Sequence, residues 1–233
     1  VQGTLDRDIA AVESDSRKAG PDSLFLCIKG AVSDGHVYAK EVAEKGACVL
    51  VVQDPVEVPD SVTVIQVEDS RLAMAYISAA WFDYPAEKLK TVGITGTKGK
   101  TTTTYLVKSI LENAGRKVGL VGTIEIIIGD THIHAVNTTP ESYEIHKHMA
   151  KMVEAGCEYV VMEVSSQGFK LDRTAGITFD YGVFTNLSPD HIGPAEHADF
   201  DEYLQCKSML FRQCRTGIVN IDDEHTEEVL RGH

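Results

Sequence analysis

The segment that decides the fold reads Thr95-Gly96-Thr97-Lys98-Gly99-Lys100-Thr101-Thr102. The apolar, β-branched stretch Lys90–Thr95 precedes it, and a helical pattern follows from Lys100 to about Ala114. Glycines at such a turn let backbone N–H groups close around phosphate oxygens, and the helix N-terminus adds partial positive charge. The segment predicts an ATP-binding loop in which Lys100 reaches the β and γ phosphates and the Thr101 hydroxyl holds Mg²⁺.

The strict phosphate-loop pattern G-x-x-x-x-G-K-[ST] is missed at one position. Ile94 stands five residues before Gly99, where the pattern requires glycine. The alternative is a flexible glycine-rich turn with a solvated Lys100. The strand expected before the segment and the helix expected after it favour the phosphate loop.

A carboxylate supports this interpretation at the end of another predicted strand. Glu163 lies in the apolar stretch Tyr159–Val164. Ligands of open parallel sheets bind beyond the carboxyl ends of the strands, and a carboxylate there can hold the metal ion of a nucleotide. The alternative for Glu163 is an ordinary charge at a strand end.

Strand and helix patterns alternate along the chain, which predicts an α/β fold with a mainly parallel sheet covered on both faces. Asp83-Tyr84-Pro85-Ala86 interrupts the pattern, because proline disfavours helix in the residue before it. We therefore expect a small N-terminal α/β domain over residues 1–86 and a central phosphate-loop domain, itself incomplete, over residues 87–233. The predicted strands are Ser23–Lys29, Ala47–Val52, Val62–Val67, Lys90–Thr95, Val118–Val121, Tyr159–Val164, Tyr181–Phe184 and Gly217–Ile221.

Four helices are expected from the spacing of apolar residues and from capping signals. The first covers Val37–Glu44 and ends before Gly46; the second begins at Ser70 as N-cap and reaches about Phe82. The third has a buried stripe made of Leu106, Val107, Ile110 and Leu111. The fourth opens at Thr139-Pro140, with the Thr139 hydroxyl as cap, and its inner face carries Ile145, Met149, Met152 and Val153.

Composition excludes several classes of protein. The formal net charge of -13 argues against duplex nucleic acid as a partner, because such binding needs clustered cations. No run of about eighteen apolar residues and no secretory signal are seen. Five cysteines without a C-x-x-C pair indicate a reduced, cytoplasmic protein, which we expect to be a monomer with small-molecule partners.

The motifs together resemble the Mur ligase family. The loop Thr95–Thr102 is similar to the family's T-G-T-x-G-K-T-T segment. Three later segments resemble its N-T-T-P, E-V-S-S-H-x-L-x-x-x-R and T-N-L-x-x-D-H motifs: Asn137–Pro140, Glu163–Gly168 followed by Arg173, and Thr185–His191. The first domain resembles the family's uridine-binding domain in Asp15-Ser16-Arg17, Leu24-Phe25, Lys29-Gly30 and Asp34-Gly35-His36.

The resemblance implies an ATP-dependent ligase that adds an amino acid to UDP-N-acetylmuramoyl-L-alanyl-D-glutamate through an acyl phosphate, in peptidoglycan precursor synthesis. Folylpolyglutamate synthetases share the central domain but lack the first one. The implied metal ligands are Thr101 and Glu163 for one Mg²⁺ and His191 for a second, with Lys100 on the ATP phosphates. Lys207 stands where the family has a carbamylated lysine. The implied precursor-binding residues are Ser16, Asn137, Thr138, Thr139, Ser165 and Arg173.

Some positions depart from the family pattern. Gln167 replaces the usual histidine, and residues 192–197 replace the usual L-D-Y-H stretch. Compared with the family, we expect the rest of the central domain and a third domain to lie beyond His233. The incoming amino acid, diaminopimelate, lysine or another, stays open because the selecting residues are expected there.

Simpler interpretations apply to other residues. The pairs His132/His134 and His146/His148 are taken as surface residues, since i and i+2 on a helix cannot face one metal. Ser165-Ser166 lacks the G-x-S-x-G elbow of a hydrolase. Two other functions are considered: a non-catalytic, nucleotide-responsive binding module and another phosphate-loop enzyme such as a small-molecule kinase. Binding of the UDP precursor would separate the ligase from both.

Overall fold

A computed structural model describes residues 1–30, 33–190, 192–193 and 196–231 of the chain. The chain divides into two compact units, Val1–Ile77 and Ser78–His233. The expected domain boundary after residue 86 stays a prediction. Both units are built from parallel strands and helices, so the α/β class is confirmed.

The first unit contains a four-stranded parallel sheet in the order β1-β2-β3-β4. Its strands are β1 (Ala11–Glu13), β2 (Ser23–Leu26), β3 (Val49–Val52) and β4 (Thr63–Gln66). A 3₁₀ turn over Gly35–Tyr38 leads into α1 (Ala39–Glu44), which is followed by Gly46 at a φ of +101°. The apolar side chains of β3 are all buried, because a parallel strand inside a sheet is covered on both faces.

Helix α2 (Ser70–Trp81) begins where the sequence predicts, but another residue caps it. The Asp69 carboxylate accepts from the backbone N–H groups of Arg71 and Leu72 at 2.7 and 3.0 Å, so Asp69 and not Ser70 is the N-cap. Aspartate and serine are equally favoured as N-caps, so the sequence alone does not separate Asp69 from Ser70.

The second unit contains a seven-stranded sheet in the order β11-β10-β5-β9-β6-β7-β8. The first five of these strands are parallel to one another, and β7 and β8 form an antiparallel hairpin at the edge. The hairpin was not predicted. The strands are β5 (Lys90–Thr95), β6 (Val118–Val121), β7 (Glu125–Ile128), β8 (Thr131–His134), β9 (Tyr159–Glu163), β10 (Phe179–Phe184) and β11 (Cys214–Val219).

Helices cover both faces of this sheet. Val161 of β9 packs in a cluster with Val107 and Leu111, which belong to α3 (Lys100–Asn113). Its neighbours Val160 and Met162 point to the other face and pack in a cluster with α4 (Ser142–Glu154) and α6 (Phe200–Arg212). Alternate residues of a strand point to opposite faces, so this arrangement is the expected doubly covered sheet. Two short helices, α5 (Ser166–Lys170) and α7 (Thr226–Val229), complete the unit.

The buried stripe predicted for α3 is half wrong. Val107 and Leu111 pack against the sheet, but Leu106 and Ile110 are 58% and 67% exposed. The two pairs lie side by side around the helix, and only one of them reaches the sheet. The sequence pattern overestimated the width of the contact.

Helix α4 differs from expectation at its start and on its inner face. It begins at Ser142, with Glu141 at the N-cap position, and the Thr139 hydroxyl bonds elsewhere. Ile145, Met149 and Met152 are buried as predicted. His146 and His148 are buried too, at 1% and 8% exposure, so their assignment to the surface is wrong. A histidine beside a core position shares the apolar face of the helix.

The cysteines and the helices of the described chain bear on two expectations from composition. All five cysteines are free thiols. No helix in the part of the chain that the structure describes is long and apolar enough to cross a membrane. The exposed pair His132 and His134 lies on β8, where His132 contacts Glu125 at 2.7 Å.

Candidate functional site

The predicted phosphate loop lies between the carboxyl end of β5 and the first turn of α3. Gly96 and Gly99 adopt φ values of +147° and +83°, a region that favours glycine. A Cβ at Gly96 would lie 2.0 Å from Thr185 Oγ1, whereas a Cβ at Gly99 would meet nothing within 4 Å. The loop therefore needs glycine at both positions, and Gly96 also allows a close approach to the end of β10.

Asn186 holds the front of the loop. Its carbonyl oxygen accepts from the Thr97 N–H at 2.8 Å, and its side-chain Oδ1 accepts from the Lys98 N–H at 2.9 Å. Its Nδ2 donates to the Lys98 carbonyl at 3.0 Å. These two amides are thus already bonded within the protein. The amides of residues 99–102 have no partner in the described part of the chain and, as the first turn of a helix, can donate to an anion.

Two lysines converge on the loop. Lys100 Nζ donates to the carbonyl oxygens of Gly96 and Thr97 at 3.0 and 3.1 Å. Lys207 Nζ, on α6, donates to the same Gly96 carbonyl at 2.8 Å and is 1% exposed. Burial lowers the pKa of Lys207 to about 7, with a further contribution from the charge on Lys100. Burial also lowers the pKa of Lys100, against the opposing charge of Glu163.

Glu163 is completely buried at the end of β9. Its Oε2 accepts from the hydroxyls of Thr101 and Thr123 at 3.0 and 3.1 Å, and its Oε1 accepts from the Thr123 N–H at 2.9 Å. No lysine, arginine or histidine of the described chain forms an ion pair with it. A buried carboxylate normally has a positive partner, and a hydroxyl beside a carboxylate is the hard-oxygen set that Mg²⁺ prefers. These residues fit a divalent cation.

A second group of predicted residues surrounds Thr139. Its hydroxyl oxygen lies 3.1 Å from both the Glu163 carbonyl and the Ser165 hydroxyl, and it accepts from the Ser165 N–H at 2.9 Å. Arg173 donates to the Thr139 carbonyl at 2.9 Å and to Glu141 Oε1 at 2.6 Å. The Ser165 hydroxyl caps α5 by accepting from the Gly168 N–H at 3.0 Å. The network joins this segment to the backbone of Glu163.

The remaining predicted residues lie in several places. The Thr138 hydroxyl is 3.1 Å from that of Thr123, whereas Asn137 and Thr102 are exposed. Thr95 is buried, and its hydroxyl donates to the Val164 carbonyl at 2.8 Å. Ser16 belongs to the first unit, where its carbonyl accepts from Lys45 Nζ at 2.8 Å. His191 lies outside the described residues.

The sequence alone assigns no role to three residues near the loop. Asn186 stands in the segment Thr185–His191, which resembles a family motif. Thr123 follows the end of β6, and Tyr203 lies one helical turn before Lys207. The strand-end rule that selected Glu163 also applies to Thr123, but only the common pair Gly122-Thr123 follows the short strand β6.

A large cavity lies at the opposite end of the same sheet. It has a volume of about 890 Å³, and it is lined at the amino ends of the strands by Lys90, Tyr159, Arg116 and Arg215 among others. Asp180 and Glu158 also line it and pair with Lys90 and Arg116 at 3.1 and 3.0 Å. Its charges largely neutralise one another, and parallel sheets bind ligands at the other end. We therefore place the functional site at the loop.

Comparison with protein families shows the family to which the chain belongs. The Mur ligase middle domain matches residues 94–232, and the region described as the Mur ligase family, catalytic domain, matches residues 8–87. The first match alone spans more than half of the chain. This chain belongs to the Mur ligase family.

Two curated Mur ligases that are similar to this chain are named for the same activity. The UDP-N-acetylmuramoyl-L-alanyl-D-glutamate--2,6-diaminopimelate ligase of Clostridium perfringens is 43% identical over 231 residues, which are 99% of this chain and 47% of the relative. The corresponding ligase 1 of Clostridium acetobutylicum is 47% identical over 230 residues, 98% of this chain and 47% of the relative. The chain spans about half the length of these relatives.

Solved Mur ligase structures share the fold. A UDP-N-acetylmuramoyl-L-alanyl-D-glutamate--2,6-diaminopimelate ligase superposes with a TM-score of 0.82 at 21% identity, covering 97% of this chain and 47% of that one. The MurF ligase of Thermotoga maritima, in complex with ADP, gives 0.63 at 19% identity, covering 94% of this chain and 48% of that one. At these identities the likeness concerns the fold alone.

Proposed function

We propose that this chain is the part of an ATP-dependent ligase that binds ATP and a UDP-linked precursor. The proposed reaction joins 2,6-diaminopimelate to UDP-N-acetylmuramoyl-L-alanyl-D-glutamate, the activity that names the relatives from Clostridium. One observation carries the proposal: Glu163 is a buried carboxylate that forms no ion pair with any described residue, and it contacts the hydroxyl of Thr101 in the first turn of α3. A nucleotide-bound cation would supply the positive partner.

The chemistry requires activation of a carboxylate. A carboxylate is a poor electrophile because its leaving group would be an oxide. Transfer of the γ-phosphoryl group of ATP to a carboxylate of the precursor gives an acyl phosphate, which has phosphate as its leaving group. The amine of the incoming amino acid then attacks the acyl carbon through a tetrahedral intermediate, and phosphate departs.

The residues of the loop would position the triphosphate and offset its charge. The amides of residues 99–102, which have no partner among the described residues, would donate to phosphate oxygens. Lys100 would leave the carbonyls of Gly96 and Thr97 and donate to phosphate oxygens instead. Thr101 and Glu163 would hold Mg²⁺, and His191 a second ion. When bound there, Mg²⁺ supplies positive charge that offsets the charge of the transferred phosphoryl group.

Lys207 is proposed to react with carbon dioxide. Its pKa of about 7 leaves a large share of neutral amine near neutral pH. The amine nitrogen would attack the carbon of CO₂ and release a proton to solvent, giving an anionic carbamate beside the loop. Intact-mass measurement at neutral pH should show the added mass of one CO₂, and acidification should remove it. An unmodified mass in bicarbonate buffer, at saturating nucleotide, would contradict this step.

The precursor is proposed to bind to the residues around Thr139. Asn137, Thr138, Thr139, Ser165 and Arg173 would hold its muramoyl-peptide and diphosphate, and Ser16 would lie near its uracil. The support is the network that ties Thr139 and Ser165 to the backbone of Glu163, because it gives the segment one defined geometry. Asn137, which is exposed, is free to turn towards a ligand.

Calorimetry with UDP-N-acetylmuramoyl-L-alanyl-D-glutamate tests the proposal directly. A ligase fragment should bind the precursor, whereas a kinase or a nucleotide-responsive module has no reason to bind it. Ser16→Ala should weaken binding without loss of folding, and an unchanged affinity would remove Ser16 from the site. We expect the isolated chain to ligate poorly; rates equal to those of a full-length relative would contradict this division of labour.

The acyl phosphate requires a separate test in a full-length ligase of this family. Incubation with precursor, ATP and Mg²⁺ but without amino acid, followed by borohydride reduction, should convert the activated carboxyl group to an alcohol. Mass spectrometry of the precursor would detect the change. Absence of the alcohol, in a preparation that ligates when amino acid is added, would argue against this intermediate.

A further inference from the structure

Tyr203 is a completely buried tyrosine that contacts the phosphate loop and has no part in the mechanism above. It lies in the first turn of α6, and its hydroxyl is 3.0 Å from Thr97 Oγ1. Burial raises the pKa of Tyr203, so the phenol keeps its proton at neutral pH. A phenol proton inside the protein has to be directed at an acceptor.

The hydrogen bonds of Thr97 indicate which atom donates. The Ser188 N–H donates to Thr97 Oγ1 at 3.0 Å, and the Ser188 carbonyl lies 3.2 Å from the same oxygen as an acceptor for its proton. A hydroxyl has one proton and two lone pairs. One lone pair therefore remains, and the Tyr203 hydroxyl fills it by donating to Thr97 Oγ1.

Helix α6 contacts the loop at a second point one turn later. Lys207 Nζ lies 4.5 Å from the centre of the Tyr203 ring and donates to the Gly96 carbonyl. The Tyr203 hydroxyl bonds the side chain of Thr97, and the Tyr203 ring supports the Lys207 amine that bonds Gly96 before that amine has reacted with CO₂. Two consecutive residues of the loop are thus held by one aromatic side chain, directly and through Lys207.

We infer that Tyr203 is a positioning residue for the phosphate loop. Its hydroxyl holds Thr97 against Ser188, and this fixes the Gly96–Thr97 backbone so that the amides of residues 99–102 converge on phosphate. The inference rests on the proposed nucleotide binding. It assigns Tyr203 no contact with nucleotide, metal or precursor.

Nucleotide titrations on four variants of this chain test the inference. Tyr203→Phe keeps the ring and removes the hydroxyl, so ADP with Mg²⁺ should bind about three- to tenfold more weakly. Thr97→Val also removes the two bonds between Thr97 and Ser188, so its loss should be at least as large. Thr97→Ser keeps the hydroxyl and should bind within about twofold of the parent. The double variant Tyr203→Phe/Thr97→Val should lose little more than Thr97→Val alone, because one bond joins the two residues.

Tyr159→Phe is the control, because Tyr159 lies at the amino end of β9, away from the loop, and its change should leave ADP affinity unaltered. Circular dichroism establishes that each variant is folded, and amide exchange of residues 96–99 should accelerate in Tyr203→Phe. If the parent chain binds no ADP, the proposed function fails first. If it binds ADP and Tyr203→Phe binds equally well, or if the two losses simply add, the positioning role is overturned. Should Tyr203→Phe not fold, equal affinities of Thr97→Ser and Thr97→Val would overturn it.

Discussion

Lys100 and Lys207 donate to one and the same carbonyl oxygen, that of Gly96, at 3.0 and 2.8 Å. Two amines that share one carbonyl oxygen repel each other when both are charged, and the charge of Lys100 is one reason for the lowered pKa of Lys207. Without nucleotide, the loop therefore offers too little negative charge to balance both amines. The negative charge of a bound triphosphate would stabilise both amines in their charged form.

Lys100→Met should abolish measurable binding of ADP or ATP to the chain, with a loss of at least about a hundredfold. The methionine keeps the length of the side chain but removes the charge that would face the phosphates. Lys98→Met is the matched control: Lys98 is an exposed neighbour whose backbone, not its side chain, bonds Asn186. Fluorescence titration with a labelled nucleotide measures both. Equal losses in the two variants would mean that only the net charge of the loop matters.

Gly96→Ala should lower the free energy of unfolding far more than Gly99→Ala. Both positions have positive φ, which costs an alanine about 1 kcal/mol. The added methyl of Gly96→Ala would also lie 2.0 Å from Thr185 Oγ1, whereas that of Gly99→Ala has open space. We expect the first to lower the free energy of unfolding by at least about 2 kcal/mol more than the second. Urea denaturation of the two variants decides this, and similar stabilities would contradict the close contact between the loop and β10.

His146 should make the chain less stable below pH 6.5. It is buried without a hydrogen-bond partner in the described structure, and burial lowers its pKa from 6.5 to about 4. As the pH falls through 6.5 the unfolded chain gains a proton that the folded chain does not, so stability declines until the folded histidine protonates near pH 4. The decline should reach about 2 kcal/mol at pH 5.

His146→Leu should remove this part of the acid sensitivity. Its free energy of unfolding should fall less than that of the parent between pH 7 and pH 5, when both are measured by urea denaturation. The exposed His134→Asn should keep the pH dependence of the parent. An identical slope for His146→Leu and the parent would show that His146 takes up a proton equally in both states.

Glu163→Gln should raise stability while it lowers the effect of Mg²⁺. The substitution removes a buried charge that has no ion-pair partner in the described chain, so we expect the free energy of unfolding to rise by about 1 kcal/mol. The amide is a weaker ligand for a divalent cation, and Mg²⁺ should improve ADP affinity at least about tenfold less than in the parent. Glu158→Gln, at the other end of β9, is the control for charge alone. A stability loss in Glu163→Gln would show that the carboxylate is structural.

Much of the fold follows from local pattern. The strand Lys90–Thr95, the helix from Lys100 and the carboxylate of Glu163 are predicted correctly because each depends on the residues beside it in the chain. The order of the parallel strands could not be read in this way. The hairpin β7–β8 was missed although it is local, because its strands are short and only the two residues Gly129-Asp130 mark the turn between them.

Other errors concern contacts that join distant segments. The sequence predicts Thr139 as a helix cap, but its hydroxyl bonds Ser165, which is 26 residues away in sequence. His146 reads as a polar surface residue, yet α4 turns it towards the core. Asn186 holds the loop from 88 residues beyond Lys98. Spacing along one helix or strand carries no information on such partners, so the immediate surroundings of the site required the structure.

A crystal structure of the chain with ADP and Mg²⁺ tests the central claim most directly. The account predicts that the β-phosphate accepts from the amides of residues 99–102, that Lys100 Nζ leaves the Gly96 carbonyl to bind phosphate, and that the metal ion contacts Thr101 and Glu163. A nucleotide bound elsewhere, such as in the cavity beside Arg116 and Arg215, with Lys100 still on Gly96, would contradict it.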